Sequence, residues 1–384
     1  MAQQQIIFKL AERCNINCTY CYYFHGGERD FLSKPARTKA DVGDALSDYL
    51  KRTLAAGEID KAQVIFHGGE PLLYGKRRFD ALCSKLRSDI DSPSLDLCLQ
   101  TNATLIDSEW IGIFEQHDVK VCTSLDGPQS VHDSFRVDHR GRGTYQNVRR
   151  GIDLLIEAKR AGRLSSVACL SVIQPKFSGR DVFIHLVNEV GFDQLDFLFP
   201  DVTHDNFTGD SKSYGRFLIE AFDEWFAQDN PVVNIRVLRS TMSVLLGGKS
   251  YLAGFGSSQP DAFTVRSDGA VELDDFLRVC GLDVVDTGLT LKDLQRTELR
   301  SLISARALDA QFSNLPLKCA DCDVAGACKG GQISHRFKAG NGFEERSVFC
   351  EGLYDLFVHV AKALVEAGVA SQSVVGLSRL EIVQ

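Results

Sequence analysis

Twelve cysteines distinguish this chain of 384 residues. Three fall close together as Cys14-x3-Cys18-x2-Cys21, and four follow late as Cys319-x2-Cys322-x5-Cys328 and then Cys350. Clustered thiolates favour iron–sulfur clusters or zinc over hard cations. Three thiolates on one loop can hold three irons of a cubane and leave the fourth open to an exogenous chelator. Zinc would want a fourth ligand, which His25 could supply, and three incidental thiols are the bland alternative. The late four-Cys set suits a closed cluster or a structural zinc ribbon. Cys83, Cys98, Cys122 and Cys169 sit in apolar helical or strand patterns and are expected to be small buried hydrophobes. Cys280 stands alone in sequence.

The elements that must position these groups alternate. Short apolar runs at Ile6–Leu10, Gln63–His67, Leu95–Gln100, Lys120–Ser124, Val167–Ile173 and Gln194–Phe199 predict strands. Helical spacing predicts helices near 39–55, 76–90, 107–116, 145–162, 179–190 and 212–228, as in Tyr145, Val148, Ile152, Leu155 and Ile156 on one face. Strand–helix alternation implies parallel strands with helical crossovers. Six units suit an open, partial barrel, so the expected class is α/β, a partial (β/α)6 barrel. Cys14–Cys21, His67-Gly68-Gly69-Glu70-Pro71, Thr101-Asn102 and Ser124-Leu125-Asp126-Gly127-Pro128 all sit at strand C-terminal ends. In a parallel barrel those ends share the face that carries the active site.

After about residue 235 the pattern changes to a Gly- and Ser-rich stretch at 247–258, a turn at Ser267-Asp268-Gly269 and the cysteine group. This predicts two domains, 1–237 and 238–384, with a closing amphipathic helix over Leu353–Gly368. Asp and Glu number 51 against 43 Lys and Arg, a net charge of −8, which argues against a general nucleic-acid binder. No apolar run approaches the ~18 residues of a membrane span. The start Met1-Ala2-Gln3-Gln4-Gln5 lacks the basic and apolar regions of a signal peptide, so a cytoplasmic protein with no membrane partner is expected.

The spacing of the first three cysteines after the first strand, with Tyr20 before the third, resembles the signature of the radical S-adenosylmethionine superfamily. The resemblance implies a 4Fe–4S cluster on Cys14, Cys18 and Cys21 whose open iron takes S-adenosylmethionine. Gly68, Gly69 and Glu70 look like the family's second-strand motif, which contacts the methionyl amine. Asn102, Ser124 and Arg136 match positions that line the ribose or carboxylate pocket. Asp126 and His132 lie nearby and read equally well as a turn cap and a surface histidine.

The late group resembles the SPASM extension over roughly 265–352, which implies an auxiliary 4Fe–4S cluster on Cys319, Cys322, Cys328 and Cys350. Two positions depart from that pattern: Gln332 stands at the last Cys of Cys-x5-Cys-x3-Cys, and Asp274 stands where a Cys follows the Asp-Gly turn. Asp274 and Cys280 are therefore open to three readings, an unusual cluster, proton or redox work, or structure. The wording Asp274-Asp275-Phe276-Leu277-Arg278-Val279-Cys280-Gly281, Cys328-Lys329-Gly330-Gly331 and His335-Arg336-Phe337 looks like the cyclophane-forming peptide maturases, which usually have Gly where Lys329 stands.

That subgroup implies a ribosomal precursor peptide in which an aromatic ring carbon is joined to a β-carbon two residues on. It also implies an electron donor such as flavodoxin or ferredoxin. Candidate bases are His335, Asp274 and Cys280. The rival readings are a sulfatase-type formylglycine-generating or thioether-forming maturase, and a non-catalytic zinc-binding peptide carrier. With Cys14 so near the start, no recognition domain is expected in front, which leaves the barrel, 247–258, the SPASM region or a separate protein to dock the precursor.

Overall fold

The computed structural model of the chain describes residues 3–252, 255, 262–292, 294–305, 311 and 314–375. Six strands follow in the expected order: β1 Gln3–Ala11, β2 Lys61–Gly68, β3 Leu95–Thr101, β4 Val119–Ser124, β5 Val167–Val172 and β6 Gln194–Leu198. The helices between them are Ala40–Ala55, Lys76–Asp89, Ser108–Gln116, Tyr145–Arg160, Gly179–Ile184 and Ser211–Gln228. Several begin where a short polar side chain takes up a free helix amide. Asp107 accepts from Trp110 N, Ser178 from Asp181 N and Asp210 from Lys212 N. No helix among the described residues is long and apolar enough to cross a membrane.

The chain folds as two compact units. The first holds Met1–Leu125, His132–Cys169 and Asp261–Ala305; the second holds Asp126–Val131, Leu170–Pro260 and Arg306–Gln384. The expected division at 237/238 is not where the units part, because 262–305 returns to the first unit and 170–252 belongs to the second. A helix, Arg236–Leu245, occupies the supposed boundary.

In the first unit, β1 to β4 are parallel neighbours. Beyond β1 lies β8, Ala262–Val265, also parallel, then β9, Ala270–Glu272, and β10, Asp286–Thr290, both antiparallel. Strand alternation gives this sheet two unlike faces. Phe8, Phe66, Leu99 and Val121 align on one face and are fully buried, with Phe66, Phe79, Trp110 and Phe114 in edge-to-face and stacked contact beneath the helices. The opposite face carries Gln63, His67, Asp96, Cys98, Gln100, Lys120, Cys122 and Ser124, all half-buried. Cys83 and Cys169 are buried as expected; Cys98 and Cys122 are not, because alternation turns them to this polar face. Gln63 donates to Cys98 Sγ at 3.4 Å.

In the second unit, β6 pairs in parallel with β7, Asn234–Ile235. The closing helix runs Cys350–Glu366 and packs on Ser211–Gln228. Their contact is made at two glycines: a Cβ on Gly215 would lie 2.4 Å from the Gly352 carbonyl oxygen. That close approach fixes the start of the closing helix, and Cys350 is its first residue. Residues 253, 254 and 256–258 of the Gly- and Ser-rich stretch 247–258, a proposed docking segment, lie outside the described residues.

Candidate active site

The first cysteine loop is pinned from two sides. Gly69 N and Glu70 N, just past β2, donate to Ala11 O and Arg13 O at 2.8 and 2.9 Å. Asn17 N and Thr19 N donate to Val137 O and Phe135 O at 2.7 and 2.9 Å. Only glycine fits at the first contact: a Cβ on Gly68 would lie 2.1 Å from Ala11 O, and one on Gly69 2.4 Å from Arg13 O. The Gly-Gly pair therefore seats the cysteine loop, and the amides of Gly69 and Glu70 are spent on it.

Cys14, Cys18 and Cys21 are half-buried. Burial, then the Glu70 charge and the other two thiols, push Cys14 up to about 12, while the Ile16 amide opposes them. Burial also raises Cys21, against the amides of Phe24 and Tyr23. Asn102 Nδ2 lies 3.7 Å from Cys14 Sγ, and Arg136 Nη1 lies 3.9 Å from Cys18 Sγ. Three mutually repelling thiols ringed by N–H donors suit metal-bound thiolates, since coordination removes the proton that burial would retain. The residues fit a cluster.

Of the remaining sequence candidates, Asn102, Arg136 and Glu70 are tied to this loop within the same unit. Glu70 is fully buried and brackets two strand ends: Oε1 accepts from Leu72 N and Thr101 Oγ1, Oε2 from Asn102 N at 2.8 Å. Burial raises it to about 7 against these bonds. Ser124 Oγ accepts from Gln100 Nε2 at 2.9 Å. Arg136 stands 5.4 Å from the Tyr20 ring centroid. His132 is buried, not superficial, with Nε2 3.1 Å from Thr144 Oγ1. In the second unit, Asp126 accepts from Val172 N at 3.1 Å, a bond to a strand end 46 residues on and not a local turn cap.

Asp275, which the sequence reading passed over, is the carboxylate best placed beside the cysteine loop. It is 4% exposed, and its Oδ2 accepts from Lys9 Nζ at 2.7 Å and from the Tyr22 hydroxyl. Tyr22 directly follows Cys21. Burial alone would raise Asp275; the Lys9 and His67 charges with the bonds from Lys9 and Tyr22 outweigh it and hold the group well below the usual carboxylate range. Among the described residues its Oδ1 has no partner, and neither does His67 Nδ1. His67 stands opposite Lys9 in the β1–β2 register. Burial, then the Lys9 charge, lowers His67 to about 4. Lys9 is itself a visible signal, a lone cation in the apolar run Ile6–Leu10.

Asp274, the predicted base, differs from its neighbour. Burial and then the Asp275 charge push it up to about 7. Cys280 ends the same short turn, Asp275–Cys280, and is buried. A buried ion network holds this turn. Arg266, fully buried, binds Glu12 at 3.0 Å, Asp30 at 2.7 Å and Glu272; Arg278 binds Glu272 at 2.8 Å and Asp30. Tyr23 donates to Glu12, and Lys9 Nζ lies 4.2 Å from the Tyr23 ring centroid.

In the second unit, Cys319, Cys322, Cys328 and Cys350 line one recess with Val324, Ala325, Leu353 and Tyr354. Among the described residues no group of three His, Cys, Asp or Glu is placed to hold a single metal ion. Burial, then the charges of Cys350, Cys319 and Cys322, raise Cys328 to about 12. Mutual repulsion of four thiols in an apolar pocket is again relieved by metal coordination. Lys329, at φ +53, occupies a left-handed position, which explains why glycine is usual there.

One prediction made from sequence changes here. His335 is 1% exposed, sits 4.8 Å from Phe349 and 6.1 Å from Phe199 by ring centroid, and bonds the Pro200 carbonyl. Burial lowers it to about 3, so it is a neutral ring caged by aromatic side chains. Gln332 donates to Ser334 Oγ at 2.9 Å and to Asp201 at 3.4 Å, so that side chain has polar partners of its own.

Fold and site define an α/β enzyme with a cysteine loop at the C-terminal end of its first strand. Residues 8–176 match the model of the radical SAM superfamily. These residues form a radical SAM domain, and the cofactors are those of its chemistry, S-adenosylmethionine and 4Fe–4S clusters. Among curated proteins it is 27% identical over 368 residues to the Cysteine-type anaerobic sulfatase-maturating enzyme of Clostridium perfringens, covering 92% of this chain and 94% of that one. It is 23% identical to the Serine-type anaerobic sulfatase-maturating enzyme of Bacteroides thetaiotaomicron, covering 91% and 87%. Among solved structures, native anSMEcpe with bound AdoMet and Cp18Cys peptide superposes with a TM-score of 0.81 at 25% identity, covering 95% of this chain and 98% of that one. Streptococcus suis SuiB bound to precursor peptide SuiA shares the fold at a TM-score of 0.57 and 15% identity, covering 91% and 76%.

Proposed function

We propose that the chain is a peptide maturase that oxidises a side chain of a peptide substrate by two electrons. The observation that carries this reading is the ionised Asp275 with its open Oδ1, held by Lys9 and Tyr22 next to Cys21. Cys14, Cys18 and Cys21 would hold the S-adenosylmethionine-binding cluster, and Cys319, Cys322, Cys328 and Cys350 an auxiliary one. Bound there, these cofactors would supply one-electron radical chemistry at the substrate and an acceptor for the second electron. Asp275 Oδ1 accepts the proton that leaves. Lys9 and Tyr22 orient the carboxylate, and the Lys9 charge keeps it ionised. A flavodoxin or ferredoxin would supply the reducing electron, and the protein would work in the cytoplasm.

The product we favour is a cyclophane, an aromatic ring carbon joined to a β-carbon two residues on. Its support is that Asp274 and Gln332 replace two SPASM cysteines, and that Gln332 has hydrogen-bond partners of its own. Formylglycine formation is the second reading, favoured by the sulfatase-maturating relatives that match along nearly the whole chain. The test is anaerobic turnover on peptides carrying Trp, Phe or Tyr two positions before a residue with a β-hydrogen, and on a sulfatase-type Cys peptide. Loss of two hydrogens, with both residues retained and linked in fragmentation, supports the crosslink. Loss of sulfur from the Cys peptide alone establishes the second reading.

A further inference from the structure

The groove between the helices Ala40–Ala55 and Lys76–Asp89 takes no part in the chemistry above. It has a volume of about 510 Å³ and is lined by Arg37, Lys39, Tyr74, Arg78, Leu82 and Lys85, among others. In a chain of net charge −8 it gathers four cations against one carboxylate, Asp44. Lys85 is paired with Asp44 and Asp89 at 3.5 and 3.2 Å. Arg37, Lys39 and Arg78 have no carboxylate partner among the described residues.

Two further features point to an anionic occupant. Ala40 and Gly43, in the first turn of a sixteen-residue helix, line the groove, and the residue before that helix, Lys39, caps no amide with its side chain. Free N-terminal amides attract negative charge. Tyr74 is 5% exposed, lines the groove, and its hydroxyl has no hydrogen-bond partner among the described residues. Open to the groove and not sealed in the core, this hydroxyl can donate to an occupant.

The shape selects the kind of anion. Arg78, Ala81, Leu82 and Lys85 lie along two turns of one helix, a length of about 10 Å. That matches about three extended residues. Ala81 and Leu82 give an apolar floor between charged rims, which suits a peptide strand better than a compact ion.

We propose that this groove binds an acidic, extended stretch of the peptide substrate, remote from the residue that reacts. The inference rests on the maturase reading, but its binding test needs no turnover, so the two can fail separately. The probe is fluorescein-labelled hexaglutamate, titrated by anisotropy against the full-length protein. The expected result is salt-sensitive binding that Arg37→Glu/Arg78→Glu weakens about tenfold, with Arg37→Gln/Arg78→Gln intermediate and still folded by circular dichroism. With a peptide substrate that carries an acidic stretch, the same variants raise KM and leave kcat unchanged. Unchanged hexaglutamate affinity in both variants overturns the proposal. So does displacement by millimolar inorganic phosphate, which marks a small-anion site, or slower reduction by an acidic electron carrier with hexaglutamate binding intact.

Discussion

The two cysteine groups are built on opposite principles. The Cys14–Cys21 loop offers three thiols amid charge: Asn102 and Arg136 approach the sulfurs, Lys9 and Asp275 lie behind Tyr22, and Arg266 and Arg278 complete a buried ion network. The Cys319–Cys350 group offers four thiols around a recess whose other walls include Val324, Ala325 and Leu353. A site with one ligand too few and many charges nearby is made to bind and react. Four thiols with apolar walls suit the proposed cluster closed to exogenous ligands. The contrast explains why the candidate acid–base groups are gathered in the first unit, while the histidine predicted for that work in the second, His335, is caged and neutral.

Substitutions should separate these roles. The largest effect is expected from Cys18→Ser: no S-adenosylmethionine cleavage, no peptide product, and loss of about four irons per chain, read by product analysis and iron assay. Cys328→Ala should also remove about four irons and abolish the peptide product, yet leave reductive formation of 5′-deoxyadenosine measurable. If both variants fail equally at cleavage, the division of labour is wrong.

Lys9→Met tests the charged surroundings of the first group. Removing one partner of a buried pair typically costs ~3–5 kcal/mol, because the other charge is left uncompensated. The expected outcome is a large drop in melting temperature that Lys9→Met/Asp275→Leu partly restores. The smallest effect concerns His335. It is pushed down to about 3 when folded, against an ordinary value of about 6.5, so the unfolded state binds more protons below that value. Stability therefore falls as pH drops below about 6.5, by about 2 kcal/mol at pH 5 for this one group. Denaturant melts at pH 8 and pH 5 read the difference, and His335→Phe should shrink it.

Much of the fold was legible because parallel strands bury one face uniformly: all six expected strands and their intervening helices are present, most within a residue or two. What sequence could not reveal was which distant segments meet. The strand Ala262–Val265 lies beside β1, a pairing across more than 250 residues that local periodicity does not encode. The same limit hid Asp275. Its neighbour Asp274 drew attention by standing in a cysteine position, whereas the value of Asp275 comes from Lys9 and Tyr22, over 250 residues away. Cys98 and Cys122 were within reach of sequence, since alternation places them on the face of Gln63 and Lys120 and not that of Phe66. His335 read as a base by residue type, but only packing shows a histidine ringed by Phe199 and Phe349.

The central claim is two clusters, one on each cysteine group, and an iron and sulfide count on anaerobically reconstituted protein tests it most directly. The account predicts about eight irons and about eight sulfides per chain. About twelve would mean that Cys280 and Asp274 help to hold a third cluster, and zinc in place of iron would contradict the radical mechanism altogether.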